Sequence, residues 1–374
     1  MADRGAGTLR RIGESAQGRP LWLLSLGQGE RDVLVVAGAH ANEPVGAATA
    51  LRLARWALGG RRARWHFLLC LDPDGAALTE GWLRGPLSLE RHYAHFFRPP
   101  AHRQPEWVLS DPPPPETAAL LRVIDELRPA LQLSLHGVDL GGSFLQLTRP
   151  VPGLARPFER SAAAAGLPLD VGSADAAYWP SPSPGIYLLP GCDGPERFAA
   201  LPEEAARSTW TYAGLTTAVV EVPMWVADGV SDGTPHPDPR GAVRAAAERL
   251  RAGLAGVRVP ELPGSALAAA AAESVLVGPG LAEEWERGDW ARTVAQVTAV
   301  EIAAERIPLR VAAALARLDQ AGGAGVPGGD VAARCARLRS RFGARWVPVE
   351  QQVAHQARTV VATARAVLTE ALRP

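Results

Sequence analysis

Histidine and glutamate occur in this chain at spacings that a metal site could use. In Val33-Leu-Val-Val-Ala-Gly-Ala-His40-Ala-Asn-Glu43-Pro an apolar run enters a glycine turn and delivers His40 and Glu43, three residues apart, at the mouth of a helix. Imidazole nitrogen and carboxylate oxygen are ligands that zinc accepts, and one further ligand would complete a three-ligand site with an open position. An H-x-x-E spacing arises by chance in many chains, so it needs support. His136 gives that support, because it follows the apolar run LQLSL and precedes Gly137, at the carboxyl end of a second strand. In open α/β sheets ligand sites gather at such ends. Glu221 lies inside the apolar run AVVEVPMW. A carboxylate there is costly to bury unless it is paired, protonated or catalytic.

The elements that must position these residues read from periodicity. Val33–Ala37, His66–Leu71, Leu131–Leu135 and Thr217–Val222 have the length and content of buried strands. Helical patterns at Val45–Ala57 and Glu116–Leu127 alternate with them. The fold class expected is α/β, a mixed, mostly parallel sheet flanked by helices. The segment DPPPPE at Asp111–Glu116 is a stiff spacer ahead of a helix, and the loops around Gly141, Ser181–Gly185 and Gly191–Gly194 precede the last strand. Beyond about residue 240 the chain turns to Ala- and Arg-rich helical segments at Val243–Leu254, Leu281–Arg306, Val331–Phe342 and Val353–Leu372, with breaks at Val277–Gly280 and Ala321–Gly329. Two domains follow: a catalytic domain over 1–255 and an α-helical C-terminal extension over 256–374. The extension could cap the cleft, form a homo-oligomer or bind a partner, and the sequence does not choose.

Composition narrows the function. Of 374 residues, 47% are apolar, enough for a proper core. All 39 basic residues are arginine, so a phosphate-binding GxxxxGK[ST] loop, a kinase site, a Schiff-base lysine and an SxxK nucleophile are excluded. The basic residues are balanced by 39 acidic ones, which argues against nucleic acid or an anionic membrane as partner and for a small neutral or zwitterionic substrate. The first residues carry no apolar run after their charges, and no run reaches the ~18 uncharged apolar residues of a membrane span, so a soluble cytoplasmic protein is expected. Cys70, Cys192 and Cys335 are odd in number and far apart, as reduced core thiols would be.

Five segments, in order, resemble the M14 family of zinc carboxypeptidases over roughly residues 10–250. They are IGESAQGRPLWLLSLG with its S-x-x-G-R-P, GAHANEPVG, the turn DPDG at Asp72–Gly75, SLHG at Ser134–Gly137, and WTYAGLTTAVVEVP at Trp210–Pro223. The resemblance implies that His40, Glu43 and His136 bind one zinc and that Glu221 is general base and proton shuttle. It implies an oxyanion-stabilising arginine, for which Arg84 is the candidate. LSLERHYAHFF is similar to the family's D-L-N-R-N-F, with Arg91 at the carboxylate-binding arginine and Glu90 where the family has Asn. Tyr187, with Tyr178 as rival, stands for the family's mobile tyrosine. The activity implied is hydrolysis of an amide bond near the carboxyl end of a small peptide or peptide-like metabolite.

Two other functions remain open from the sequence. One is a zinc deacylase of N-acyl amino acids, of the aspartoacylase and succinylglutamate desuccinylase type, which shares an H-x-N-E segment; the DPDG turn and the EVP at Glu221 favour the peptidase. The other is a non-catalytic binding scaffold, suggested by Glu90 and the helical tail. Several residues are read as structural: His92, His95 and His102 as solvated loop residues, His66 and His236 as fold residues, and Asp139 as a turn residue rather than a partner of the metal ligands.

Overall fold

The structure, a computed structural model, describes residues 7–58, 63–189, 207–320 and 330–370. Nine strands form one mixed sheet: β1 (Thr8–Glu14), β2 (Pro20–Leu26), β3 (Asp32–Ala37), β4 (Arg64–Leu68), β5 (Leu131–Gly141), β6 (Phe144–Leu147), β7 (Ile186–Leu188), β8 (Thr217–Val226) and β9 (Arg345–Trp346). Their spatial order is β1-β2-β4-β3-β5-β8-β6-β7, with β9 on the end of β8. The four central strands β4, β3, β5 and β8 are parallel. Antiparallel pairs flank them on both sides. The α/β class with a mixed sheet is therefore borne out, parallel at its centre. Strands β3 and β5 are buried along their whole length, which is why both read as apolar runs rather than alternating ones.

Helices α1 (Val45–Ala57), α2 (Pro73–Thr79), α3 (Leu89–Ala94), α4 (Pro115–Leu127) and α5 (Ala155–Ala164) pack around this sheet. Helix α1 buries Val45, Gly46, Thr49, Ala50, Leu53, Ala54 and Ala57, the stripe its spacing calls for. Gly46 lets it approach β5 closely, since a Cβ there would lie 2.7 Å from the Leu135 carbonyl oxygen. The DPDG turn starts α2, with Asp72 accepting from Gly75 N at 2.8 Å and Pro73 in the first turn. Asp74 of the same turn accepts from Ser15 Oγ at 2.7 Å and from Arg19, so two of the quoted segments bind each other.

The rest of the chain supplies α6 (Pro239–Leu254), α7 (Ala266–Arg287), α8 (Val294–Gln320), α9 (Val331–Phe342) and α10 (Val349–Glu370). Helices α6, α7 and α8 share a core of their own. Helix α10 does not: Val353, Ala357, Val360, Ala364 and Val367 are buried, and the last four join the sheet's principal core with α1 and α5. The helix expected over Leu281–Arg306 is instead the end of α7 and the first half of α8. The chain runs helically through Val277–Gly280 and breaks instead after Arg287, where Gly288 closes α7. Gly278 faces α6, where a Cβ would meet the Leu254 side chain at 2.2 Å, so it serves close packing rather than a turn. Among the described helices, α7 alone is long and apolar enough by length and composition to cross a membrane. It buries Ala268, Ala271, Ala282 and Trp285 against its neighbours. The break expected at Ala321–Gly329 and Cys192 in the Gly191–Gly194 loop lie outside the described residues. Cys70 and Cys335 are free, and burial pushes their thiols up to about 11 and about 12.

Candidate metal centre and cavity

Strand β3 ends at Ala37, and Gly38 turns the chain with a left-handed φ of 65°, a conformation that glycine adopts without strain. The turn delivers His40 and Glu43 just before α1. In the neighbouring parallel strand β5, His136 comes one residue after Leu135, the partner of Ala37. The three side chains converge. His40 Nδ1 lies 3.1 Å from Glu43 Oε1 and 3.1 Å from His136 Nδ1, and His136 Nδ1 lies 3.0 Å from Glu43 Oε2. One ligand atom from each residue falls within 4.8 Å of the others, and all three residues are nearly buried. Glu221 is the register partner of His136 in the β5–β8 ladder, with Oε1 at 4.0 Å from Nδ1.

The outer nitrogens of both rings are held. His136 Nε2 lies 2.8 Å from Glu106 Oε2, and Ser134 Oγ donates to the other oxygen of Glu106 at 2.5 Å. His40 Nε2 lies 3.1 Å from Gln104 Oε1, which also accepts from Trp107 Nε1 at 2.8 Å. Both Nδ1 atoms thus face the same space, the arrangement in which a metal-binding histidine is oriented through its other nitrogen. Neither Glu106 nor Gln104 was foreseen. Both sit in the loop between α3 and α4, where no periodicity marks a residue.

Electrostatics follow from burial and close neighbours. Burial alone would lower His136, yet Glu106 and Glu43 hold its imidazole well above the ordinary histidine range. Burial lowers His40, with Arg98 adding to the effect. Glu43 resists burial and stays well below the carboxylate range because His40 and Arg98 face it. Burial pushes Glu221 up to about 8, with Glu43 adding and His136 opposing.

A cavity of about 210 Å3 opens beside the cluster, lined on its polar side by Arg98, Asp139, Asp175, Glu221, Arg306 and Arg310. Trp107, Trp179 and Trp210 supply much of the apolar wall. Arg98 pairs with Glu43 and lies 3.2 Å from His40 Nδ1.

Five residues named from the sequence are elsewhere. Arg84 is an exposed side chain paired with Glu80 at the end of a short helical turn, outside the cavity. Arg91 donates to the carbonyls of Trp82 and Gly81, at 3.0 and 2.8 Å, and so caps that same turn outside the cavity. Glu90 pairs with Arg339 of α9. Tyr187 is buried, donating to Asp170 O at 3.0 Å and accepting from Ser173 N at 3.2 Å, which ties it to the fold. Tyr178 is partly exposed beside Trp290, also away from the cavity.

Two structural readings also change. His92 is not solvated: it is 1% exposed among Trp82, Tyr93, Phe96 and Trp225, and burial lowers it to about 4. Asp139 is no turn residue but a fully buried carboxylate of β5 that accepts from Tyr93 OH, Arg306 and Arg310.

Residues 6–141 match the family model of zinc carboxypeptidases. No curated protein matches the chain. Among solved structures it is similar to a metallo-carboxypeptidase from Burkholderia cenocepacia, at 18% identity and a TM-score of 0.35, covering 58% of this chain and 55% of that one. It is similar to a murein-tripeptide amidase from Escherichia coli O157, at 20% identity and a TM-score of 0.33, covering 59% and 86%. A metallo-carboxypeptidase from Pseudomonas aeruginosa gives 17% identity, a TM-score of 0.33 and coverage of 57% and 55%. The chain thus spans about half the length of several solved structures it matches. The resemblance to the M14 zinc carboxypeptidases is borne out over residues 6–141, the stretch that contains His40, Glu43 and His136.

Proposed function

We propose that this chain is a zinc-dependent metallopeptidase that hydrolyses an amide bond near the carboxyl end of a small peptide or peptide-like metabolite. The observation that carries the reading is the convergence of His40, Glu43 and His136 at one end of a cavity, with the carboxyl of Glu221 beside them. Two imidazoles and a carboxylate are a donor set that zinc accepts, and the outer nitrogens held by Gln104 and Glu106 leave both Nδ1 atoms for the metal. His40, Glu43 and His136 would hold one zinc ion. Bound there, zinc supplies Lewis acidity towards a carbonyl and a water.

The chain's own residues do the remaining work. Glu221, beside the three ligands, accepts the proton of the attacking water and returns it to the leaving nitrogen. Arg98, at the cavity wall next to His40, takes the oxyanion role expected of Arg84, donating to the carbonyl oxygen as negative charge develops on it. The tryptophans of the wall keep solvent off one side of the substrate. A small peptide-like substrate, supported by the balanced charge of the chain, and a cytoplasmic setting complete the proposal.

A panel of short peptides with free carboxyl termini, run beside N-acyl amino acids on zinc-loaded protein, tests the reading. Peptides are expected to be cleaved, and Glu221→Gln should lower kcat by about 10²- to 10⁴-fold while zinc binding persists. Turnover of N-acyl amino acids alone would assign the site to a deacylase instead.

A further inference from the structure

Helix α8 closes one side of the cavity, and it belongs to the part of the chain beyond the family match. Arg306 and Arg310, one turn apart on it, both line that space. Each reaches Asp139, three residues past His136 on β5: Arg306 Nη1 donates to Oδ1 at 2.7 Å and Arg310 Nη2 to Oδ2 at 2.8 Å. The hydroxyl of Tyr93 donates to the same Oδ2 at 2.8 Å. Asp139 is thereby saturated, while the two guanidinium groups are not. Each offers five N–H donors, and the Nε atoms of both are buried without a partner.

The charges are unequal as well. One carboxylate faces two guanidinium groups, and the side chains of Arg306 and Arg310 are only 13% and 17% exposed. A buried cation without a counter-charge is strongly unfavourable. Asp175 offsets part of the charge at Arg306. Around Arg310 the charges after Asp139 are Arg306 and Arg98, both positive, and its guanidinium also stacks over Phe96 at 4.6 Å. Arg98 is already paired with Glu43, so it is the Arg306–Arg310 side of the wall, Arg310 above all, that has room for a further anion. A planar carboxylate suits it, because guanidinium donors pair with its two oxygens.

We infer that Arg306 and Arg310 form a carboxylate subsite, so that the preferred substrate ends in an acidic residue whose side-chain carboxylate docks on α8. This rests on the hydrolase reading for the reaction, but on the α8 geometry for the ligand.

The test is calorimetric titration of zinc-loaded Glu221→Gln protein with glycyl-glycyl-glutamate and glycyl-glycyl-glutamine. The two peptides are nearly isosteric and share the terminal carboxylate. The glutamate peptide is expected to bind about tenfold tighter or more. Adding Arg310→Met should bring the ratio close to one, chiefly by weakening the glutamate peptide, and adding Arg310→Lys should restore part of it. Equal affinities without the Arg310 change, no binding of either peptide, or an equal loss of both on Arg310→Met would overturn the inference. Cleavage of neutral peptides without acidic preference would sink this subsite and leave the hydrolase standing. A preserved binding ratio with no cleavage by the unaltered enzyme would do the reverse.

Discussion

His136 and Glu221 are direct partners in the parallel ladder between β5 and β8, which brings Glu221 Oε1 to 4.0 Å from His136 Nδ1. The register of two strands thus sets the distance between a proposed metal ligand and the proposed base. A slip of one residue would send one of them to the opposite face of the sheet. Helix α10 guards that register from behind. Gln356 Nε2 donates to His136 O at 2.7 Å and to Val220 O at 3.0 Å, one carbonyl from each strand. Ser143 Oγ donates to Glu221 O at 2.7 Å and is itself held by His355.

Removing the amide should be felt in both stability and metal binding. Gln356→Met leaves two buried carbonyls without this donor, at a cost of about 2 kcal/mol. Chemical denaturation should register that loss, and zinc titration should show weaker binding. A variant as stable as the parent would show that Gln356 does not brace the ladder.

Glu106 orients His136 through Nε2 and is 1% exposed. Its replacement by Gln keeps the shape but removes the charge. Zinc affinity should fall about 10- to 100-fold with circular dichroism unchanged. Unaltered affinity, measured with a competing chelator, would remove Glu106 from the site.

Asp170, buried beneath the β5–β6 turn, accepts from Gly172 N at 3.1 Å, and burial pushes its carboxyl up to about 7. The folded state therefore holds a proton that the unfolded chain releases near pH 4. Stability is lost as pH rises from about 4 through about 7, by at most ~4 kcal/mol from this group. Asp170→Asn cannot ionise and should escape that loss, so its advantage over the parent grows between pH 5 and pH 8. Thermal melts across that range measure it, and parallel curves for the two proteins would contradict the assignment.

What could be read from sequence was local. His40, Glu43, His136 and Glu221 each stand beside an apolar run that dictates a strand, so residue type and strand end together place them. Arg98, Gln104 and Glu106 lie in a loop without periodicity. Arg306 and Arg310 meet Asp139 across 167 and 171 residues, a pairing that no local pattern encodes. His92 was misread because histidine counts as polar, although Leu89, Tyr93 and Phe96 put position 92 on the buried face of α3. The role of α10 was hidden because its alanine-rich sequence resembles that of α6 to α8, and only packing separates a helix on the sheet from those beside it.

Zinc binding tests the central claim most directly. Equilibrium dialysis of purified protein, followed by elemental analysis, should find about one zinc per chain, lost in His136→Ala when circular dichroism shows that variant to be folded. Protein that takes up no zinc, or a folded His136→Ala variant that takes up as much as the parent, would contradict the account.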